Sequence, residues 1–244
     1  MNIQLFVPCF IDQLFPQTAF SMVKVLQKLG CTVQYNTQQT CCGQPAFNAG
    51  YWKDAARVCE KFLQDFEGDG YIVAPSASCV GFVKNYYQKL ASTQSFLMQQ
   101  RFLKKASNIG SRMYEFTDFV TKVLQVVNVG ARLNARATYH DSCAALRECS
   151  IKEGPRRLLQ HVEGLELVEM EETAVCCGFG GTFAVKFEPI STAMADQKIG
   201  HALAINADYI ISTDMSCLMH LDGCIKHKGY ALQTLHIADV LAMH

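Results

Sequence analysis

The sequence predicts an α/β protein made of two similar domains, each built around a parallel β-sheet. Two observations support this prediction: a duplicated pattern of cysteines and apolar strands, and an alternation of strand-like and helix-like segments along the chain. Strands that alternate with helices favour parallel sheets joined by right-handed crossovers. The chain has 244 residues, half of them hydrophobic, and is therefore long enough to form two cores.

The duplication is clearest in the cysteines. In each half, a strand runs into a cysteine, a Cys-Cys-Gly triplet follows, and a second strand leads to a fourth cysteine. The first cysteine and the triplet are separated by 32 positions in one half and 33 in the other. Simple packing does not require such spacing to recur. The eight repeated cysteines are Cys9, Cys41, Cys42 and Cys79 in the first half and Cys143, Cys176, Cys177 and Cys217 in the second.

The repeat also suggests where the chain divides. We expect two pseudo-symmetric, Rossmann-like domains, over residues 1–130 and 131–244, because the second strand pattern begins just after Val129 and Gly130. The main asymmetry is a polar, lysine-bearing stretch at residues 91–110, which has no counterpart in the second half.

Local signals order the elements of the first half. Pro16 suits the first position of a helix, and Gly30 suits its end. Residues 31–35 then have the composition of a strand, and residues 51–66, after the first triplet, are typical of a helix.

The second half has matching signals. Pro155 is expected to open a helix, Gly164 to end it, and residues 165–168 to form the next strand. In parallel sheets, functional groups gather in the loops beyond the carboxyl ends of the strands. The repeated cysteines follow strands or lie in strand-to-helix loops, so the four of each half should converge.

Four converging thiolates indicate a metal centre. Thiolates are soft ligands that favour iron–sulfur clusters, zinc or copper(I). Four of them match both a cubane [4Fe–4S] cluster and a structural zinc ion, and zinc stays open for the first half. Adjacent cysteines must turn to reach one centre, and Gly43 and Gly178 allow that turn. A helix beginning after each triplet would direct its free N–H groups toward an anionic cluster.

The other four cysteines have no partner in the repeat. Cys31 and Cys59 lie within a strand pattern and a helix pattern, which favours simple packing. Cys149 and Cys224 are also interpreted as packing or spare thiols, although their position near the second site leaves a further role open.

Two histidines lie near the cysteines of the second half. His140 precedes Cys143 by three residues, where the first half has Phe6, and the sequence gives no reason to assign it a role. His220 follows Cys217 by three residues, and it is interpreted as a surface or capping residue, with a fifth ligand or proton donor as the alternative.

Composition excludes several classes of protein. Lys and Arg together number 22, as do Asp and Glu, so there is no basic surplus for binding nucleic acid. The sequence lacks an apolar run long enough for a transmembrane helix, and residues 1–9 lack the features of a signal peptide. A reducing cytoplasm is therefore expected, where twelve cysteines indicate metal or redox chemistry instead of disulfides.

The motifs around the cysteines resemble those of the cysteine-rich CCG family, which includes a cysteine-rich component of heterodisulfide reductase and the iron–sulfur component of glycolate oxidase. The resemblance covers essentially the whole chain and is strongest to the family members that take part in L-lactate utilization. The matching segments are CCGQPA at residues 41–46, PSASC at 75–79, CCGFGGTF at 176–183 and CLM at 217–219.

This resemblance implies an iron–sulfur cluster in each repeat, held by the eight repeated cysteines. It implies an electron-transfer subunit of a multi-subunit oxidoreductase that oxidises L-lactate to pyruvate, with partners that include a ferredoxin-like iron–sulfur protein. Because a cluster moves one electron at a time and lactate gives up two, other subunits are required. The sequence has no nicotinamide or flavin fingerprint, and no catalytic residue is assigned.

One departure from the family pattern narrows the prediction. In many members the motif ends in Cys-x-x-Cys. Here the position of the second cysteine of that ending is occupied by Phe82 in the first half and by His220 in the second. A cluster with four thiolates therefore fits better than the enlarged, disulfide-reducing cluster of heterodisulfide reductase. A structural zinc scaffold and a cluster-free thiol–disulfide protein are the alternatives that the sequence leaves open.

Overall fold

A computed structural model describes residues 1–93 and 96–244 and confirms the α/β prediction. Each half contributes one four-stranded sheet in which all neighbouring strands are parallel. Within the described ranges, no helix combines the length and the apolar character needed to cross a membrane.

The first sheet has the strand order β2-β1-β3-β4. Its strands are β1 (Asn2–Leu5), β2 (Thr32–Tyr35), β3 (Tyr71–Ala74) and β4 (Met113–Glu115). The helices of this half are α1 (Cys9–Leu14), α2 (Pro16–Lys28), α3 (Gln44–Asn48), α4 (Trp52–Asp65), α5 (Ala77–Leu90), α6 (Phe96–Arg112) and α7 (Phe116–Asp118), with a 3₁₀ turn at Ala91–Thr93 and a π-helix at Phe119–Val123.

The second sheet repeats this arrangement in the order β6-β5-β7-β8. Its strands are β5 (Arg132–Tyr139), β6 (Glu163–Leu167), β7 (Tyr209–Ser212) and β8 (Gln233–His236). The helices are α8 (Glu153–Leu159), α9 (Thr182–Lys186), α10 (Glu188–Ala204), α11 (Met215–Lys228) and α12 (Ile237–Leu241), with a π-helix at Ala144–Glu148.

Most local predictions agree with these bounds, and two in the second half were wrong. Pro16 is the first residue of α2, but Pro155 is the third residue of α8. Gly164 does not end that helix, since it lies inside β6. The helix stops earlier because Glu163 already pairs with Arg132 of the neighbouring strand.

The polar stretch at residues 91–110 largely forms α6, a helix in the crossover from β3 to β4. It packs against α5, and the Arg112 guanidinium at its end donates a hydrogen bond of 2.7 Å to the Gly70 carbonyl. Residues 94 and 95 of this stretch lie outside the described ranges.

The two halves share one apolar core. Ile3 and Leu26 of the first half belong to the same buried cluster as Ile210 and Leu241 of the second. The halves are also joined by polar contacts, such as the bond of 2.8 Å from the buried Thr18 hydroxyl to the Asp239 carboxylate. The division at residue 130, within the irregular connection before β5, stays a prediction.

Candidate metal centres

Three loops bring the first four cysteines to the carboxyl end of their sheet. Cys9 opens α1 just after β1, Cys41 and Cys42 precede α3, and Cys79 lies in the first turn of α5 after β3. These loops meet because β2 and β3 both pair with β1 in parallel, so all three strands end at the same edge.

The sulfur atoms of this first site form a continuous row. The Sγ atoms of Cys9 and Cys41 lie 3.7 Å apart, and those of Cys42 and Cys79 lie 3.4 Å apart. A sulfur contact between the neighbours Cys41 and Cys42 joins the two pairs. The structure therefore brings together all four cysteines that the repeat singled out in this half.

The second site has the same order of contacts. The sulfur of Cys143 contacts that of Cys176, and Cys177 in turn contacts both Cys176 and Cys217. Cys143 follows β5 and Cys217 lies in the first turn of α11 after β7. Each site is therefore built from equivalent loops, and all twelve cysteines of the chain are free thiols.

The triplet glycines make the turns that these rows require. Gly43 and Gly178 have φ angles of +93° and +94°, in the left-handed region that side chains rarely adopt. A β-carbon on Gly178 would lie 2.4 Å from the Ser191 carbonyl oxygen, and one on Gly43 would lie 3.1 Å from the Cys59 sulfur. A larger residue would therefore be strained by its conformation at both positions, and at Gly178 it would also clash with the backbone.

Backbone N–H groups of the turns point at the sulfurs. The Gly43 and Gly178 N–H groups each donate to the first cysteine of their triplet at 3.4 Å. The expected helix start follows at once in the first half, where α3 begins at Gln44, but α9 begins only at Thr182. The delay arises because residues 178–181 form a longer glycine-rich turn whose Phe179 N–H donates to Cys177 at 3.5 Å.

The thiols of each row share their protons unequally. Bonds from Cys42 and Cys9 lower the pKa of Cys41 to about 3, and bonds from Cys143 and Cys177 lower that of Cys176 to about 2. The same contacts, together with burial, raise the pKa of the partner thiols.

A bound cation would change this balance. Four thiolates this close repel one another, so all of them ionise only when a cation compensates their charge. Four converging soft donors therefore fit an iron–sulfur cluster or a zinc ion by their chemistry.

The second site contains a histidine that sequence patterns did not single out. A ring nitrogen of His140 and the sulfurs of Cys177 and Cys217 lie within 4.8 Å of one another, and all three residues are buried. Burial, followed by the charge of Lys198, lowers the pKa of His140 to about 3, so the ring is neutral. The available signal was its position three residues before Cys143, where the first half has Phe6.

His220 has a different environment. Its Nε2 lies 3.1 Å from the Ser191 hydroxyl and 3.4 Å from the Ser191 carbonyl oxygen. The Ser191 hydroxyl also donates to the Gly178 carbonyl at 2.8 Å. His220 therefore supports the turn of the second triplet through Ser191. In the first half, Phe82 packs against Phe47 with ring centroids 5.2 Å apart.

The remaining cysteines occupy packing positions. Cys31 is part of the shared core, and Cys224 packs against it from a half-buried position. Cys59 contacts the Cys42 carbonyl at 3.6 Å and Cys149 contacts the Ala77 carbonyl at 3.5 Å. Burial raises the pKa of both Cys59 and Cys149 to about 12, so both remain thiols.

The two sites lie on either side of the contact between the halves. Ser76 and Asp214, each three residues before the last cysteine of its site, form an antiparallel bridge with one another. Phe10 and Phe179, which follow Cys9 and the second triplet, are in edge-to-face contact at 5.8 Å. A cavity of about 290 Å³ between the halves is lined by Gln44, Ser78 and Phe82 from the first half and by Cys143, Arg147 and Glu148 from the second.

Two parallel-sheet repeats with a cysteine row at each carboxyl edge define a duplicated cysteine-rich protein. The cysteine-rich CCG domain matches residues 3–84 and 137–222, and the chain belongs to this family. The chain is 43% identical over 241 residues to lactate utilization protein A of Anoxybacillus flavithermus, covering 99% of both chains. It is 41% identical over 242 residues to lactate utilization protein A 2 of Bacillus cereus strain Q1, covering 99% of this chain and 98% of the relative.

Among solved structures, a hypothetical protein from Helicobacter pylori has a similar fold. The two superpose with a TM-score of 0.54 over 98% of this chain and 48% of the other, at 12% sequence identity. At that identity the similarity supports the fold alone.

Proposed function

We propose that each half holds an iron–sulfur cluster and that the chain is an electron-transfer subunit in the oxidation of L-lactate to pyruvate. The observation that carries this proposal is the pair of equivalent cysteine rows at the contact between the halves. The names of the relatives support lactate utilization as the process in which it acts.

The proposed ligands are the four sulfurs of each row. When bound, a cluster supplies one-electron redox chemistry, and the protein supplies its thiolates, the N–H groups of the triplet turns and a largely buried environment. Cys42, Cys177 and Cys217 are at most 6% exposed, so one side of each site is closed to water. A zinc ion in the first half is the alternative for that site.

The position of the sites suits electron transfer. Ser78, the neighbour of Cys79, bonds to Asp214, and Ser216, the neighbour of Cys217, bonds to the same carboxylate. Electrons could therefore pass between two centres that one side chain helps to connect. Lactate oxidation removes two electrons and two protons, and hydride acceptance is assigned to another subunit.

Partner subunits need a surface near a cluster, and the second half exposes apolar residues there. Val185, Phe187 and Ile190 are 84%, 52% and 56% exposed and follow the second triplet closely. We assign this surface to other subunits of a lactate-oxidising complex in the cytoplasm, including a ferredoxin-like iron–sulfur protein.

Anaerobic purification followed by iron, sulfide and zinc analysis tests this function. Two clusters predict a brown protein with equal amounts of iron and acid-labile sulfide. A colourless protein with zinc would support the scaffold alternative. Reduction of an artificial acceptor by L-lactate should require the neighbouring subunits, and full activity of the isolated chain would contradict the electron-transfer role.

A cluster-free thiol–disulfide protein is the second candidate. The low pKa of Cys41 favours it, because the thiolate is the nucleophile in disulfide exchange. In that case the anaerobic protein would contain neither iron nor zinc, and mild oxidation would link cysteines of one row.

A further inference from the structure

We propose that His140 is a nitrogen ligand of the metal centre in the second half, where it binds beside Cys177 and Cys217. The two centres then have different ligand sets, thiolates alone in the first half and thiolates with one imidazole in the second. This inference rests on the proposed function, since it requires a metal centre at the second site.

The geometry around His140 is that of a ligand set before metal binding. One ring nitrogen and the sulfurs of Cys177 and Cys217 all lie within 4.8 Å of one another. Metal–nitrogen and metal–sulfur bonds of about 2.0 and 2.3 Å place tetrahedral ligands of a single ion roughly 3.5 Å apart. Small side-chain movements therefore suffice for all three to bind one centre.

The ring nitrogens of His140 lack well-formed hydrogen bonds. The side chain is fully buried, and within the described part of the protein neither nitrogen has a partner at normal hydrogen-bond geometry; the nearby polar group of the backbone is the Thr173 carbonyl. Buried polar groups normally have partners, so a buried ring without one points to a missing ligand. The nearby Lys198 ammonium donates to the carbonyls of Glu172 and Thr173 and makes no hydrogen bond to the ring.

A structural histidine in the same chain provides the contrast. His236 is equally buried, yet its Nδ1 accepts from the Ala238 N–H and its Nε2 donates to the Pro75 carbonyl, both at 3.1 Å. Both of its nitrogens are therefore satisfied. His140 has the burial of a structural histidine without these bonds, and the sulfurs of Cys177 and Cys217 lie within 4.8 Å of one of its nitrogens.

The first half shows that the repeat does not need a histidine for packing. Phe6 occupies the equivalent position and packs edge to face against Phe62 and Phe66, with centroids 4.9 and 5.6 Å away. The packing of this position in the first half therefore needs only an apolar ring. The imidazole is specific to the second site, which also has the buried Lys198 nearby.

A nitrogen ligand would change how the second centre carries electrons. A neutral imidazole adds no negative charge, and where histidines replace thiolates in iron–sulfur centres the reduction potential rises. A histidine ligand in the second half alone would therefore give the two centres different reduction potentials.

The test uses the full chain, reconstituted anaerobically with ferrous iron and sulfide and labelled with nitrogen-15 histidine. Pulsed EPR of the reduced protein should detect a nitrogen coupling that changes with the isotope. The coupling should disappear in His140→Phe, the residue that the first half contains, and persist in His220→Asn. Mössbauer spectroscopy should show a distinct iron site that is lost only in His140→Phe, and it does not depend on a paramagnetic state.

The outcomes separate this inference from the proposed function. A protein that binds no iron and sulfide would contradict the proposed function itself. Normal cluster content without histidine coupling, or a coupling that survives His140→Phe, would overturn the ligand assignment alone. If His140→Phe does not fold, the isotope effect and the Mössbauer spectrum of the unsubstituted chain still decide whether a histidine binds, with His220→Asn excluding the nearest alternative.

Discussion

Glu115 and His236 occupy equivalent positions in the two repeats and make the same pair of contacts. Each residue caps the short helix that follows it, Glu115 through the N–H groups of Thr117 and Asp118 and His236 through that of Ala238. Each also crosses to the other half: Glu115 accepts from the Thr213 hydroxyl, and His236 donates to the Pro75 carbonyl.

These crossed contacts express a pseudo-twofold relation. Thr213 and Pro75 are themselves equivalent, since each lies at the same distance before the last cysteine of its half. The Ser76–Asp214 bridge pairs equivalent residues in antiparallel fashion, as expected at a twofold axis. The halves are therefore joined by residues that flank both cysteine rows.

Glu115 should make stability depend on pH. Burial raises its pKa from 4.5 to about 7, so the folded chain holds this proton more tightly than the unfolded chain does. The stability from this group is present below pH 4.5 and is lost as the pH rises through 7, by about 3 kcal/mol. The free energy of unfolding should decline less over this window in Glu115→Gln, measured by chemical denaturation at each pH. If the free energy of unfolding fell equally with pH in both proteins, Glu115 would not be the group responsible.

Metal content should separate ligand cysteines from packing cysteines. Cys42→Ala should remove the metal of the first site, because its sulfur belongs to the row. Cys59→Ala is the matched control, since Cys59 is equally buried and only 3.6 Å from the Cys42 carbonyl. We expect Cys177→Ala to behave like Cys42→Ala, and Cys31→Ala like the control. Equal loss of iron from all four variants would show that the division into ligand cysteines and packing cysteines is wrong.

Gly178→Ala should disrupt the second site selectively. The added carbon would meet the Ser191 carbonyl at 2.4 Å in a left-handed backbone conformation. The turn must shift, and with it the sulfurs of Cys176 and Cys177, so the metal of the second half should be lost. Gly200→Ala, in α10 with open space around it, should retain full metal content. Unchanged metal in Gly178→Ala would mean that the turn is not needed.

Asp214 should hold the halves together. Its carboxylate accepts from the Ser78 N–H at 3.0 Å, the Ser78 hydroxyl at 3.1 Å and the Ser216 hydroxyl at 3.0 Å. Asp214→Ala leaves these half-buried donors without their buried acceptor and should destabilise the fold by about 1–3 kcal/mol in urea. Asp54→Asn, an exposed carboxylate, serves as the control and should change little. If Asp214→Ala were as stable as the unsubstituted protein, this carboxylate would not hold the halves together.

Arg156 should be important for the loop after β5, which contains His140 and Asp141. Its guanidinium binds both oxygens of the buried Asp141 at 2.8 Å and also contacts Glu169. Arg156→Ala leaves the Asp141 charge unpaired and should cost about 3–5 kcal/mol. Arg156→Lys should recover only part of this, because an ammonium cannot make the forked contact. Denaturation midpoints should fall from the unsubstituted protein to Arg156→Lys and then to Arg156→Ala. Arg57→Ala, at an exposed position, is the control and should leave the midpoint unchanged.

The sequence alone determined the repeat, the two parallel sheets and the eight cysteines that converge. These features follow from local signals: spacing recurs, strands alternate with helices, and parallel strands end at one edge. The packing positions of Cys31 and Cys59 followed from the same patterns, because neither has a counterpart in the repeat. The misplaced helix end at Gly164 shows the limit of such signals, since strand pairing overrode a typical stop residue.

Only the tertiary structure decided what surrounds the cysteines. Glu115 and Thr213 are 98 positions apart, and His236 and Pro75 are 161 apart, so no local pattern predicts that they meet. The same holds for the histidines. His220 follows a cysteine but faces Ser191, whereas His140 lies beside Cys177 and Cys217 because β5 and β7 pair and carry their loops to one edge. Which side chain faces a metal site depends on how whole elements pack, and that information is spread over the entire chain.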